Sequence, residues 1–168
     1  MMTEAIRLTL FPAMMAFAAS SDLLTMTIAN RLCVILAGGF VVLAVLTGMS
    51  GPDMLAHAGA GAAVLVIGFV FFACGWIGGG DAKLAASTAL WLGLGHLADY
   101  FVYASLLGGA LTLLLIRFRT MPMPPLLAGR DWAERLHARD GGVPYGIALA
   151  IAALLIYPQT EWMTGLGL

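Results

Sequence analysis

The sequence predicts an all-α polytopic membrane protein, a single bundle of six transmembrane helices. Two observations carry that prediction. Apolar residues make up 61% of the chain and charged residues only 10%, with a mean hydropathy of +0.97, whereas soluble domains carry roughly a quarter charged residues. Six apolar stretches, near residues 5–21, 32–50, 55–76, 82–98, 100–118 and 144–163, reach or approach the ~20 residues needed to cross about 30 Å of hydrocarbon. The 168 residues leave room for one bundle and no separate soluble domain, so 1–168 is read as one transmembrane domain. A net charge of −1 argues against nucleic acid as a partner and leaves membrane lipid as the expected surroundings.

The first stretch, ending at Ala18-Ala19-Ser20-Ser21, has the length of a secretory signal, but Glu4 and Arg7 cancel the positive start that a signal needs. It is expected to remain as the first span. The first and fourth stretches are short, and Arg7 and Lys83 near their ends can snorkel. Stretches four and five are divided at Asp99-Tyr100, because His96 and Asp99 are polar and a continuous run would be too long for one span. The loop at 119–143 opens on Pro122, Pro124 and Pro125, which stop the fifth span. Within it, Asp131 to Arg139 reads as a short amphipathic surface helix with an Asp131–Arg135 pair, ended by Gly141-Gly142.

Basic residues orient the bundle. With the N-terminus outside, the inner loops hold Arg31, Lys83, Arg117, Arg119, Arg130, Arg135 and Arg139, while the outer face holds only Arg7. Positive residues concentrate on the cytoplasmic side of membrane proteins. Two crossings then separate Asp22 from Asp81, so both lie at the inner membrane surface.

Those two acids are the candidate chemistry. Asp81 ends the run Gly78-Gly79-Gly80-Asp81 before Ala82-Lys83. An ionisable residue at the edge of spanning sequence is costly unless it is paired, hydrated or used. A helix N-cap accounts for an aspartate at this place but not for three glycines before it, which let backbone approach a neighbour closely. A second ionisable cluster, Asp53, His57, His96 and Asp99, falls on the outer side in no recognised metal-ligand spacing. Cys33 and Cys74 lie far apart within apolar stretches and form no CxxC pair. No metal or cofactor is expected.

Asp22, followed by Ile28-Ala29-Asn30, and Gly78-Gly79-Gly80-Asp81-Ala82-Lys83-Leu84 resemble, in order and spacing, the type IV prepilin peptidases, which are intramembrane GxGD aspartyl proteases. Pro144-Tyr145-Gly146, opening the last span, is similar to the start of that family's final helix. The family usually has Ile-Pro-Asn where this chain has Ile28-Ala29-Asn30. The chain also lacks the cysteine-rich insert of the larger bacterial enzymes, so the resemblance implies the short form associated with Flp/Tad pili. It further implies a six-helix fold of the GxGD aspartyl protease type in the bacterial inner membrane, with its active site facing the cytoplasm. Asp22 and Asp81 would be catalytic, and Gly78, Gly80, Asn30, Lys83, Pro144, Tyr145 and Gly146 motif or structural residues. The implied partner is a prepilin with a short basic leader and an apolar helix, cut at their junction. Two carboxylates ~3 Å apart cannot both ionise, so such a pair shares a proton and supplies both a general base and a general acid. The competing class is a small transporter or proton relay, which also uses paired acids near glycine breaks but wants them near the bilayer midplane. The sequence leaves the oligomeric state open.

Overall fold

The computed structural model describes residues 2–164. Among the described residues all regular structure is helical: α1 (Met2–Thr25), α2 (Asn30–Leu46), α3 (Gly51–Ala73), α4 (Gly79–Leu92), α5 (Leu97–Thr120), α6 (Asp131–His137), α7 (Tyr145–Ile156) and α8 (Glu161–Thr164), with 3-10 turns at Leu94–His96 and Tyr157–Gln159. Thr3–Thr25, Gly51–Ala73 and Leu94–Thr120 are long and apolar enough to cross a membrane. Asn30–Leu46 and Tyr145–Gln159 are apolar but shorter, and α4 has 14 residues. Large apolar side chains such as Leu55, Val66, Phe69, Leu106 and Leu113 lie exposed on α3 and α5. On a water-soluble protein so extensive an apolar surface marks an interface; on these helices it is the face a bilayer covers. The protein is an all-helical membrane protein.

A helix of 14 residues, α4, is the centre of the molecule. α2, α3 and α7 pack directly on α4, and α1 and α5 pack on α7. Most of α4 is accordingly buried, including Leu84, Thr88, Ala89 and Trp91. Small residues make the α3–α4 seam close: a Cβ on Gly68 would meet the Ala82 Cβ at 3.0 Å, and one on Gly61 would meet the Leu90 Cβ at 3.2 Å. Without a hydrophobic drive between helices in lipid, such close approach is what holds them together. Towards the C-terminal end of α4 an aromatic cluster joins four segments. Phe11 stacks on Tyr157 with centroids 4.5 Å apart, and Trp91 packs on Trp162 at 5.3 Å. Trp91 Nε1 donates to Leu36 O (2.9 Å) and Trp162 Nε1 to Trp91 O (2.7 Å), so neither indole N–H is left unpaired.

Three boundaries differ from the sequence expectation. α1 runs past Asp22 to Thr25 and stops where Met26 turns to φ 54°, its N–H bonded to Asp22 O at 2.8 Å. The break between stretches four and five falls at Gly93–His96, and Asp99 and Tyr100 lie in the first turn of α5. Gly93 makes that break with φ +70°, and a Cβ there would lie 2.9 Å from the His57 ring. Only glycine suits both demands. The loop helix ends at His137, before Gly141-Gly142, and Arg135 donates to Leu24 O rather than pairing with Asp131. α6 is thereby tied to the end of α1.

Candidate active site

Asp22 and Asp81 come from different helices and reach the same space. Asp22 occupies the last turn of α1 and Asp81 the first turn of α4, and both line a cavity of about 760 Å³ together with Gly78, Trp76, Val143 and Tyr145. Asp22 is buried and Asp81 partly so.

Glycines create the room for this meeting. A Cβ on Gly78 would sit 2.9 Å from Asp81 Oδ2, so the carboxylate folds back over the glycine that begins its own helix. A Cβ on Gly80 would sit 3.2 Å from the Ile28 Cβ, so Gly80 lets the connector after α1 lie against α4. Ile28 in turn reaches the position a Gly146 side chain would take, 2.8 Å from its Cδ1. That connector is held by Ser21 Oγ, which donates to Thr27 O at 2.9 Å. Three chain segments are therefore packed at backbone distance around one pair of acids.

Asp22 has a further partner. The Gly146 N–H donates to Asp22 Oδ2 at 2.7 Å. Gly146 lies in the first turn of α7, whose opening amides have no partner within the helix. Pro144 is the N-cap residue of that helix. Tyr145 lines the cavity, and its hydroxyl donates to Ala104 O (3.2 Å) on α5. Its ring occupies the place of a side chain at Gly108, where a Cβ would run into Tyr145 Cε2.

The remaining sequence candidates stand apart from the cavity. Lys83 Nζ donates to Asn30 Oδ1 at 2.9 Å, which ties the start of α2 to the start of α4 on the side away from the acids. Both residues brace the helices. At the opposite end of the bundle, Asp53, His57, His96 and Glu161 line a smaller recess of about 230 Å³ that Asp99 does not reach. Among the described residues no group of three or more His, Cys, Asp or Glu side chains is placed to hold a metal ion. His57 Nδ1 is instead within 2.8 Å of Leu90 O and its ring stacks on Phe40.

Sequence reasoning missed Gly108 and Trp76 as neighbours of the site. Gly108-Gly109 is visible in the sequence as a small-residue pair, but only the fold reveals the tyrosine ring above it. The loop after Pro125 also contributes from outside the expected motifs: Arg119 donates to Leu136 O (2.8 Å) and Gly142 O (2.6 Å), drawing the chain before α7 back over the cavity.

No curated protein and no solved structure matches the chain. A sequence profile described as the type IV leader peptidase family matches residues 9–113, more than half of the chain and inclusive of Asp22, Asn30 and the Gly78–Asp81 run; the chain belongs to that family.

Proposed function

We propose that this protein is a prepilin leader peptidase of the aspartic type. It cuts the short basic leader from prepilin-like substrates at the cytoplasmic face of the bacterial inner membrane. The observation that carries this reading is the convergence of two carboxyl groups, from α1 and α4, on one cavity.

The chemistry follows from sharing one proton between the pair. The ionised carboxylate takes a proton from water as the water oxygen bonds to the scissile carbonyl carbon. The protonated carboxyl gives its proton to the carbonyl oxygen, forming a neutral gem-diol. Collapse of the diol re-forms the carbonyl, the C–N bond breaks, and the proton taken from water passes to the leaving nitrogen. The second carboxyl recovers its proton from the diol, so the pair ends as it began. The titration belongs to the pair, and base and acid are assigned to Asp22 and Asp81 jointly. The Gly146 N–H fixes the orientation of one member, as a preorganised site requires.

The membrane arrangement proposed with this reading has six helices crossing, α1 to α5 and α7, with the N-terminus outside. Seven of the eight basic residues then face the cytoplasm. Both acids sit at helix ends, which fits hydrolysis at an interface better than a midplane proton relay. Between Asp22 and Asp81 the cysteines are Cys33 and Cys74, with no CxxC pair, and the absence of a cysteine-rich insert there supports the short form that serves Flp/Tad pili.

Co-expression with a prepilin tests the proposal. Asp22→Asn and Asp81→Asn each keep size and remove a titrating acid, and each is expected to abolish mature pilin, consistent with the ~10²–10⁴-fold contribution of a general acid or base. Maturation at the wild-type rate in either variant refutes the assignment.

A further inference from the structure

Two apolar clefts flank α4 on its lipid-facing sides, and they differ in where they lead. The first, about 360 Å³, lies between α2 and α3 and ends at Lys83. The second, about 110 Å³, lies between α3 and α5. Val64, Ile67 and Phe71 form one wall, Phe101 the other, and Ala82 and Ala85 the floor. It exists because α3 packs on α4 while α5 packs on α7, so the two outer helices do not close on one another. Ile77 lines this second cleft and also lines the cavity that holds Asp22 and Asp81.

Resting on the peptidase reading, we infer that the cleft between α3 and α5 is where the apolar helix of the substrate docks from the lipid. Continuity is the first argument. Ala82 follows Asp81 directly, so a helix seated on Ala82 and Ala85 has its end at the level of the acids, and its chain passes Ile77 into their cavity. Charge is the second. A basic leader carried along this path meets a cavity whose lining holds two carboxyl groups and no basic side chain. The rival cleft would bring the same leader to Lys83, with Arg31 exposed nearby on α2. Size sets the mode of docking. A space of about 110 Å³ takes side chains and not a whole helix. The substrate helix therefore lies across the mouth, against the partly exposed rings of Phe71 and Phe101, and seats apolar side chains on the alanine floor.

The test uses the full chain in lipid nanodiscs with two substrates: an intact prepilin, and a soluble peptide that covers only the leader and the cleavage junction. Ala85→Leu fills the floor without touching the acids. It is expected to raise KM for the prepilin about 10-fold, the scale on which a filled apolar pocket discriminates, and to leave kcat/KM for the peptide unchanged. In parallel, a photo-crosslinking benzoylphenylalanine at Ile67 is expected to capture the prepilin helix, while the same probe at Val34 in the other cleft is not. An unchanged KM with capture at Val34 overturns the inference, as does capture at Ile67 of lipid alone or of a second copy of the enzyme. If Ala85→Leu impairs cleavage of both substrates, the Ile67 probe decides. Should the unmodified enzyme cut neither substrate, the peptidase reading fails, and the crosslink still reports separately on docking.

Discussion

At position 146 only a hydrogen atom fits. A methyl group there would lie 2.8 Å from both Asp22 Oδ2 and Ile28 Cδ1, inside any normal contact distance, while the backbone N–H beneath it holds the Asp22 carboxyl at 2.7 Å. Gly146→Ala is therefore expected to displace Asp22 and lower kcat about 100-fold, the cost of a ~1 Å misplacement of a reacting group. Initial rates on purified enzyme, with circular dichroism to check the helices, measure it. The pair also dictates the shape of the pH dependence. Activity is expected to fall at low pH, where both carboxyls are protonated and no base remains, and again at high pH, where both are ionised and no acid remains. A rate that rises monotonically with pH would exclude a shared proton. Gly108 offers a separate check. Gly108→Ala places a methyl inside the Tyr145 ring and is expected to destabilise by about 1–3 kcal/mol, as overpacking does. Removing that ring with Tyr145→Ala is expected to restore tolerance, visible as coupling in a double-mutant cycle.

Among the elements, α4 was the least legible in the sequence and matters most. Periodicity and length rank it as a weak span, because 14 residues fall short of a crossing and its composition is poor in large apolar side chains. Those traits belong to a helix enclosed by protein on most sides, where alanine and glycine permit neighbours to approach. The misplaced break between α4 and α5 has the same origin. Polar Asp99 attracted the boundary, yet Gly93 holds it through φ +70° and the His57 ring, a long-range contact that local pattern does not encode. Of the motif residues readable in the sequence, Asp22, Gly78, Asp81 and Tyr145 line one cavity and Gly146 is bonded to Asp22, whereas Asn30 and Lys83 join helix starts outside that cavity. Motif spacing announces which residues act together but not which of them touch the reaction space. At this scale Gly68→Val is expected to pry α3 from α4, where the two Cβ positions stand 3.0 Å apart, and to lower the thermal unfolding midpoint in detergent by several degrees, as about 1 kcal/mol would.

The molecule as a whole is asymmetric from end to end. One end gathers the acids, the glycine run, α6 and the start of α7; the other gathers the aromatic cluster and the recess beside His57. Impermeant maleimide labelling tests which end faces the cytoplasm, once Cys33 and Cys74 are replaced by serine. Arg130→Cys is expected to react only in inside-out vesicles and Leu94→Cys only in right-side-out ones. The reverse pattern would invert the proposed topology.

The shortness of α4 has an electrical consequence. Its 14 residues are about 21 Å long, and the 23 of α3 about 35 Å. Gly68 faces Ala82, so Asp81 sits about 6 Å short of the end of α3. With α4 embedded as proposed and water filling the hollows at either end, the transmembrane voltage drops mainly along α4 itself. Moving a charge through that whole drop takes about 2.3 kcal/mol per 100 mV, but in the proposed arrangement the acids stand at its cytoplasmic edge. Protons reach them almost without electrical work. Cleavage in proteoliposomes is therefore expected to proceed at one rate whether a potassium–valinomycin potential is imposed or dissipated.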